Sequence, residues 1–256
     1  MGKLVGFGDF LVRLSPPGYQ RFIQCNQFDI NYTGAEANVC VSLSMMGIPT
    51  DFVTRLPDND IARTGLATMR KFGVGVDHVV FGGERMGVFY LEKGASQRPS
   101  KVIYDRKFTS IAQAGIQDFD WEAIFEGAER LHITGITPAL SDTMPQVFQY
   151  AVKEAKKRGV LVSCDLNYRK NMWTEAQAKA CMEQVLPDID LVIANEEDAE
   201  KVLDIRAAGT DVVAGKLNRD GYVDVARQIC DKYGVPEVAI TLRRSFSASD
   251  NEGGAL

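Results

Sequence analysis

The chain has 256 residues, 45% hydrophobic and 25% charged, proportions of an ordinary globular protein with enough apolar content for a sizeable core. A formal net charge of −5, with the two signs interspersed, offers no basic face for a phosphate backbone and argues against nucleic acid as a partner. Two histidines exclude a histidine-rich metal cluster, and five widely spaced cysteines without a C-x-x-C pair suit reduced thiols in a cytoplasmic protein better than a disulfide frame.

The opening MGKLVGFGDFLVRLSPPG has too short an apolar run and too early a Pro-Gly break for a signal peptide. No later segment approaches the ~20 apolar residues of a membrane span, so no membrane association is expected. Gly6-Phe7-Gly8-Asp9 follows a strand pattern, but Leu11 stands where a dinucleotide turn needs its third glycine, and that match fails. Phe22–Tyr32 and Gly87–Tyr104 contain short alternating segments, such as Val88-Phe89-Tyr90-Leu91-Glu92, that read as antiparallel ribbons. Between them the spacing predicts a helix over Ala35–Met46, a strand at Asp51–Thr54 and a helix starting near Asp58-Asn59-Asp60, where a small polar residue can cap the first turn. The ribbons form a small β flap beside the main sheet.

From about residue 110 the pattern changes. A helix beginning at Asp120 leads to a strand at Arg130–Thr134. The next helix repeats Met144, Val147, Phe148, Ala151 and Ala155 on one face and ends with cations at Gly159. Strand 160–164, helix 174–186, strand 191–193, helices 197–203 and 221–233, and strand Glu237–Thr241 follow. Apolar strands separated by helices imply crossover connections and a parallel sheet covered on both faces, a doubly wound α/β fold. Gly209–Leu217 imitates a P-loop but has one residue too many between its glycines and Leu217 in place of the hydroxyl. No G-x-S-x-G elbow occurs, and His132 sits in an apolar strand as a core residue.

Ligands of open parallel sheets bind beyond the carboxyl ends of the strands. Asp165, Asn167 and Arg169 stand at such an edge, Asn195-Glu196-Glu197-Asp198 at the next, and Thr134-Gly135-Ile136-Thr137-Pro138 at a third. Singly, each is also a common turn former or helix cap.

Thr33-Gly34-Ala35-Glu36-Ala37-Asn38 resembles the early G-G-x-x-x-N motif of the ribokinase-like (PfkB) sugar kinases, and "DLNYR" with Trp173 and "NEEDAEKVL" resemble that family's central segments. Leu14-Ser15-Pro16-Pro17-Gly18, Tyr90–Arg106 and Thr134–Asp142 are most similar to 2-keto-3-deoxygluconate kinases, and the similarity runs from about residue 4 to 252. The resemblance implies a three-layer, mostly parallel ribokinase-like domain over 1–256, incomplete at its C-terminal side, with lid segments at about 14–33 and 86–106. It implies transfer of a phosphoryl group from ATP, with magnesium, to the terminal hydroxyl of a six-carbon keto-deoxy sugar acid.

On that basis Gly34, Asn38, Tyr90, Tyr104, Arg106 and Arg169 are the expected sugar-acid residues, with Asp9 and Thr134 as further candidates. Two arginines suit a carboxylate because their planar forks bind it bidentately. Asn167, Asn195, Asp198, Thr241 and Arg243 are expected on the nucleotide side, Asp198 standing where the family's N-x-x-E element has Glu and acting on magnesium through water rather than as a direct ligand. A lid excludes water from phosphoryl transfer, and its exposed ribbons imply a homodimer. The family's G-A-G-D motif, source of the proton-accepting Asp and of an anion hole, does not occur in this sequence. The expectation is therefore a chain that binds sugar acid better than it catalyses, possessing no catalytic base of its own. Two alternatives stand beside it: a non-catalytic sugar-acid binding or regulatory module, and a fructokinase-like ketose kinase with no need for paired arginines.

Overall fold

A computed structural model describes residues 2–206, 219–248 and 250–256, with the side chains of 219 and 243–245 outside the description. The Gly209–Leu217 stretch also lies outside the described residues. In chain order the elements are β1 (Lys3–Phe7), β2 (Leu11–Ser15), β3 (Asp29–Thr33), α1 (Ala35–Met45), β4 (Thr50–Val53), β5 (Arg55–Leu56), α2 (Asp60–Lys71), β6 (Val80–Phe81), β7 (Gly87–Glu92) and β8 (Lys101–Asp105). They continue with α3 (Trp121–Phe125), β9 (Ala128–Thr134), α4 (Met144–Lys157), β10 (Leu161–Asp165), α5 (Glu175–Glu183), β11 (Leu191–Ala194), α6 (Glu196–Leu203), α7 (Arg219–Tyr233), β12 (Glu237–Ser245) and β13 (Asn251–Ala255).

The main sheet has the order β13-β12-β11-β10-β9-β1-β4, parallel except for β13. Its central strands bury consecutive side chains, Leu131–Thr134 in β9 and Val162–Cys164 in β10, because helices cover both faces, as continuous apolar runs require. Helix α4 buries Met144, Val147, Phe148, Ala151, Val152 and Ala155 as one stripe, and Gly159 at φ +74° ends it in the left-handed conformation that glycine adopts without penalty. From β1 the chain moves outward to β4 and later returns to β9 on the other side of β1. The crevice beyond the carboxyl ends of β1 and β9 is thus a topological switch point, where open α/β sheets place ligands.

The flap is a second sheet of order β3-β2-β7-β8. The ribbon expected at Gly87–Tyr104 is present as the antiparallel pair β7–β8, and the one expected at Phe22–Tyr32 needs correction. β3 pairs with β2, not within Phe22–Tyr32, whose first part is a 3₁₀ turn at Phe22–Gln24, and the two hairpin-like pairs are joined by a parallel β2–β7 ladder. Strand alternation gives the flap two faces. One carries the row Asn31, Arg13, Phe89 and Tyr104; the other carries Ile30, Leu14, Tyr90 and Ile103. The flap tip reaches the turn between β12 and β13, where the Ala248 N–H donates to the Ser96 carbonyl at 3.0 Å. No helix among the described residues is long and apolar enough to cross a membrane.

Candidate functional site

A cavity of about 640 Å³ opens between the flap and the carboxyl edge of the main sheet. Tyr104, Arg106 and Lys107 line it from β8 and the residues just after, and Tyr168, Arg169, Lys170 and Glu197 line it from the loop after β10 and the start of α6. Four cations and one carboxylate face this space, and the two arginines are among them although 63 positions separate them in the sequence. The Arg106 guanidinium donates to Asp9 Oδ2 at 2.6 Å and lies 5.5 Å from the Tyr104 ring centroid. Arg169 is exposed, donates to the Tyr168 carbonyl at 3.2 Å, and its charge acts on the partly sealed carboxyls of Asp165 and Asp198.

Local hydrogen bonds build the sheet edge beneath. Asp165 Oδ1 accepts the Asn167 N–H at 3.0 Å, and Asn167 takes φ +40°, a left-handed turn that Asn tolerates. Asn195 caps α6 by accepting the Asp198 N–H at 2.8 Å, and Asp198 Oδ1 accepts the Tyr168 N–H at 3.0 Å, tying the two strand ends together. Burial, and secondarily the charge of Asp198, pushes the Asp165 carboxyl up to about 6; burial raises Asp198 as well. Thr241 donates to the Ala194 carbonyl at 3.4 Å across β11 and β12. Arg243 lies in β12, with its side chain outside the described residues.

The switch point holds the remaining candidates. Asp9 follows β1 and is buried against Arg106. Gly34 caps α1, and a Cβ there would collide with the Asp9 carbonyl, so the missing side chain lets this helix start rest on the β1–β2 link. That is a packing reason for the glycine, where the sequence suggested approach to a ligand. Asn38 accepts the Thr33 hydroxyl at 2.9 Å and lines a different, smaller cavity between α1 and α2. Thr134 is buried and spends both its N–H and its hydroxyl on Glu36 Oε1, at 3.1 and 2.7 Å.

The profile described as pfkB family carbohydrate kinase matches residues 1–240. The chain belongs to this family. It is similar to the 2-dehydro-3-deoxygalactonokinase of Haloferax volcanii, 33% identical over 204 residues that span 79% of this chain and 64% of that protein. A fructokinase of Klebsiella pneumoniae is 29% identical over 84% of this chain and 66% of its own length. Among solved structures, 2-dehydro-3-deoxygluconokinase from Thermotoga maritima superposes with a TM-score of 0.94 at 46% identity, covering 99% of this chain and 75% of that one. The chain thus spans about 64% of the length of the first of these curated relatives.

Two features of this pfkB chain escape a reading of its sequence. Tyr90, expected beside Tyr104, does not line the large cavity; it sits on the opposite flap face, its ring 5.9 Å from Phe28. The residue that alternation places on the Tyr104 side is Phe89, whose ring lies 5.7 Å from that tyrosine. The second feature is Glu36, fully buried in the first turn of α1 and bound by two threonines about a hundred positions away. Its only sequence signal is a lone acid in an otherwise small and apolar helix start.

Proposed function

We propose that this pfkB chain forms the acceptor-binding part of an ATP-dependent kinase for six-carbon keto-deoxy sugar acids of the 2-keto-3-deoxygluconate type. The observation that carries the reading is the presence of Arg106 and Arg169 on one cavity with Lys107 and Lys170, a charge surplus that suits an organic carboxylate and has no use for a neutral ketose. Tyr104 and Phe89 offer ring faces to the carbon chain, and Asp9 steadies Arg106. The acceptor's terminal hydroxyl attacks the γ-phosphorus of ATP, the bond to the ADP oxygen breaks, and the hydroxyl proton leaves to a carboxylate, which the family resemblance assigns to the G-A-G-D motif.

On the nucleotide side, Asn167, Asn195, Asp198, Thr241 and Arg243 are the proposed contacts. Magnesium enters with the nucleotide inside a water shell, and the acidic side chains at the start of α6 act on it through water. Glu197, on the cavity, is better exposed to such a shell than Asp198, which is buried and already accepts the Tyr168 N–H. Magnesium supplies charge neutralisation of the phosphates.

The flap acts as the lid of a single unit spanning 1–256. Its outer face exposes Ile30 (59%), Ile103 (45%) and Phe28 (39%), an apolar surface that suits pairing with a second copy into a homodimer. Five unpaired cysteines and the use of ATP fit a cytoplasmic enzyme.

Calorimetric titration with 2-keto-3-deoxygluconate and with fructose tests the reading. Binding of the acid and not of fructose is the expected result, and a preference for fructose overturns it. A coupled ATP assay on the same chain then separates a kinase from a binding module: phosphorylated product is expected only where a proton acceptor is present.

A further inference from the structure

Glu36 brings an ionisable group to a place with no exposure to solvent. Its Oε1 accepts three hydrogen bonds, from Thr134 N–H at 3.1 Å, Thr134 Oγ1 at 2.7 Å and Thr137 Oγ1 at 2.9 Å, while Oε2 has no partner. Gly8 provides the room, because a Cβ there would run into the Glu36 carboxyl group. The next residue, Asp9, repeats the arrangement: Oδ2 is held by Arg106 at 2.6 Å and Oδ1 is buried without a partner. Two sealed carboxyl groups therefore flank one glycine, each with one oxygen committed and one uncommitted.

Two negative charges so placed are costly, and a proton retained by one of them removes most of the cost. Asp9 has a guanidinium; Glu36 has only neutral hydroxyl and amide donors, so the proton belongs on Glu36. Burial, against the pull of the threonine bonds and with the help of the Asp9 charge, pushes its carboxyl up to about 7. The other titratable groups that face it, Cys40 on α1 and Cys164 on β10, are thiols raised by burial and carry no positive charge. Arg106 reaches the cluster only through Asp9.

We propose that Glu36 is a positioning residue for the sugar-acid grip: while it holds a proton, Asp9 faces Arg106 as a single negative charge, and the guanidinium keeps enough of its field free to attract a ligand carboxylate. When Glu36 ionises, a second negative charge stands behind Asp9, Arg106 is drawn inward and neutralised, and attraction for an anionic ligand falls. The ligand half of this proposal rests on the function proposed above; the electrostatic half stands on the apo protein alone.

Glu36→Gln tests both halves, because glutamine keeps the acceptor for the threonines and imitates the protonated acid. In ¹⁵N-arginine-labelled protein, with the Arg106 Nε–H signal assigned by its loss in Arg106→Lys, the signal should shift with a midpoint near 7 in the parent. It should be pH-independent in Glu36→Gln. No step in the parent, or the same step in Glu36→Gln, overturns the proposal. In calorimetry, affinity for 2-keto-3-deoxygluconate should weaken about threefold or more between pH 6 and pH 8 in the parent and stay level in Glu36→Gln. An equal decline in both overturns the ligand half. If the parent binds no sugar acid at either pH, the functional reading fails instead, and the arginine signal still decides whether Glu36 controls Arg106.

Discussion

Arg106 and Asp9 form an ion pair at 2.6 Å across 97 positions of sequence, with side-chain exposures of only 11% and 3%. The pair fastens the last flap strand to the link after β1, so the flap and the switch point share one electrostatic joint. Arg106→Met leaves the Asp9 carboxylate buried without its cation and should destabilise the fold by about 3 kcal/mol, the usual cost of breaking one side of a buried pair. Adding Asp9→Asn should recover part of that loss. Urea unfolding of the two variants checks both statements, and a single variant as stable as the parent contradicts the first.

Arg169 is the opposite case, an exposed side chain whose one recorded bond is to its own neighbour's carbonyl. Arg169→Ala should change stability by no more than about 0.5 kcal/mol, as surface substitutions do. Its affinity for 2-keto-3-deoxygluconate should fall by about tenfold or more, which corresponds to some 1.4 kcal/mol. Isothermal titration gives the affinity, and a thermal melt of the same sample gives the stability. Unchanged affinity would remove Arg169 from the proposed grip.

The doubly wound half could be read from the chain because strands such as β9 and β10 are buried on both faces and their apolar runs need no partner to be recognised. The flap could not be read as well. β2 is only Leu11–Ser15, runs into Pro16-Pro17, and acquires its identity as a strand from β3, which pairs Arg13 with Asn31, and from β7, which pairs Leu11 with Gly87. For the same reason alternation says that neighbouring residues of β7 face opposite ways but not which way each faces, so the sequence alone does not tell that Phe89 shares a flap face with Tyr104 while Tyr90 takes the other. Arg106 and Arg169 came from residue chemistry and a resemblance. Glu36 came from neither, because the threonines that explain it lie 98 and 101 positions away.

Gly34 gives a steric test of the switch point. Its φ of −171° is ordinary extended backbone, so an alanine would meet no torsional penalty there; the obstacle is the Asp9 carbonyl, a backbone atom that cannot swing aside. Gly34→Ala should force α1 away from the β1–β2 link at a cost of about 1–3 kcal/mol, the range for overpacking. It should also loosen the Asp9–Arg106 joint. Denaturant unfolding measures the first effect, and faster hydrogen exchange of flap amides reports the second. A variant with parental stability would mean that the link yields freely.

Glu36 and His132 make opposing contributions to the dependence of stability on pH. His132 is buried with Nδ1 3.0 Å from Ser163 Oγ, and burial pushes its imidazole down to about 4 from 6.5. Between those values the unfolded chain binds a proton that the folded protein refuses, so acidification through this window removes stability, up to about 3 kcal/mol by linkage. Glu36, raised from 4.5 to about 7, does the reverse: in that window the folded protein holds a proton that the unfolded chain has released. Acidification from pH 7 to 4.5 therefore adds stability of similar size, about 3 kcal/mol. Where the windows overlap, between about pH 4.5 and 6.5, the two slopes oppose each other. Glu36→Gln removes one of them and leaves His132 opposed below pH 6 by Asp165, whose carboxyl burial raises to about 6, so on acidification across that interval its stability should fall relative to the parent's, while His132→Gln should become more stable as pH falls. Urea midpoints every half unit from pH 4.5 to 7.5 measure this, and parallel curves for the parent and Glu36→Gln would show that Glu36 is already ionised in the fold at neutral pH.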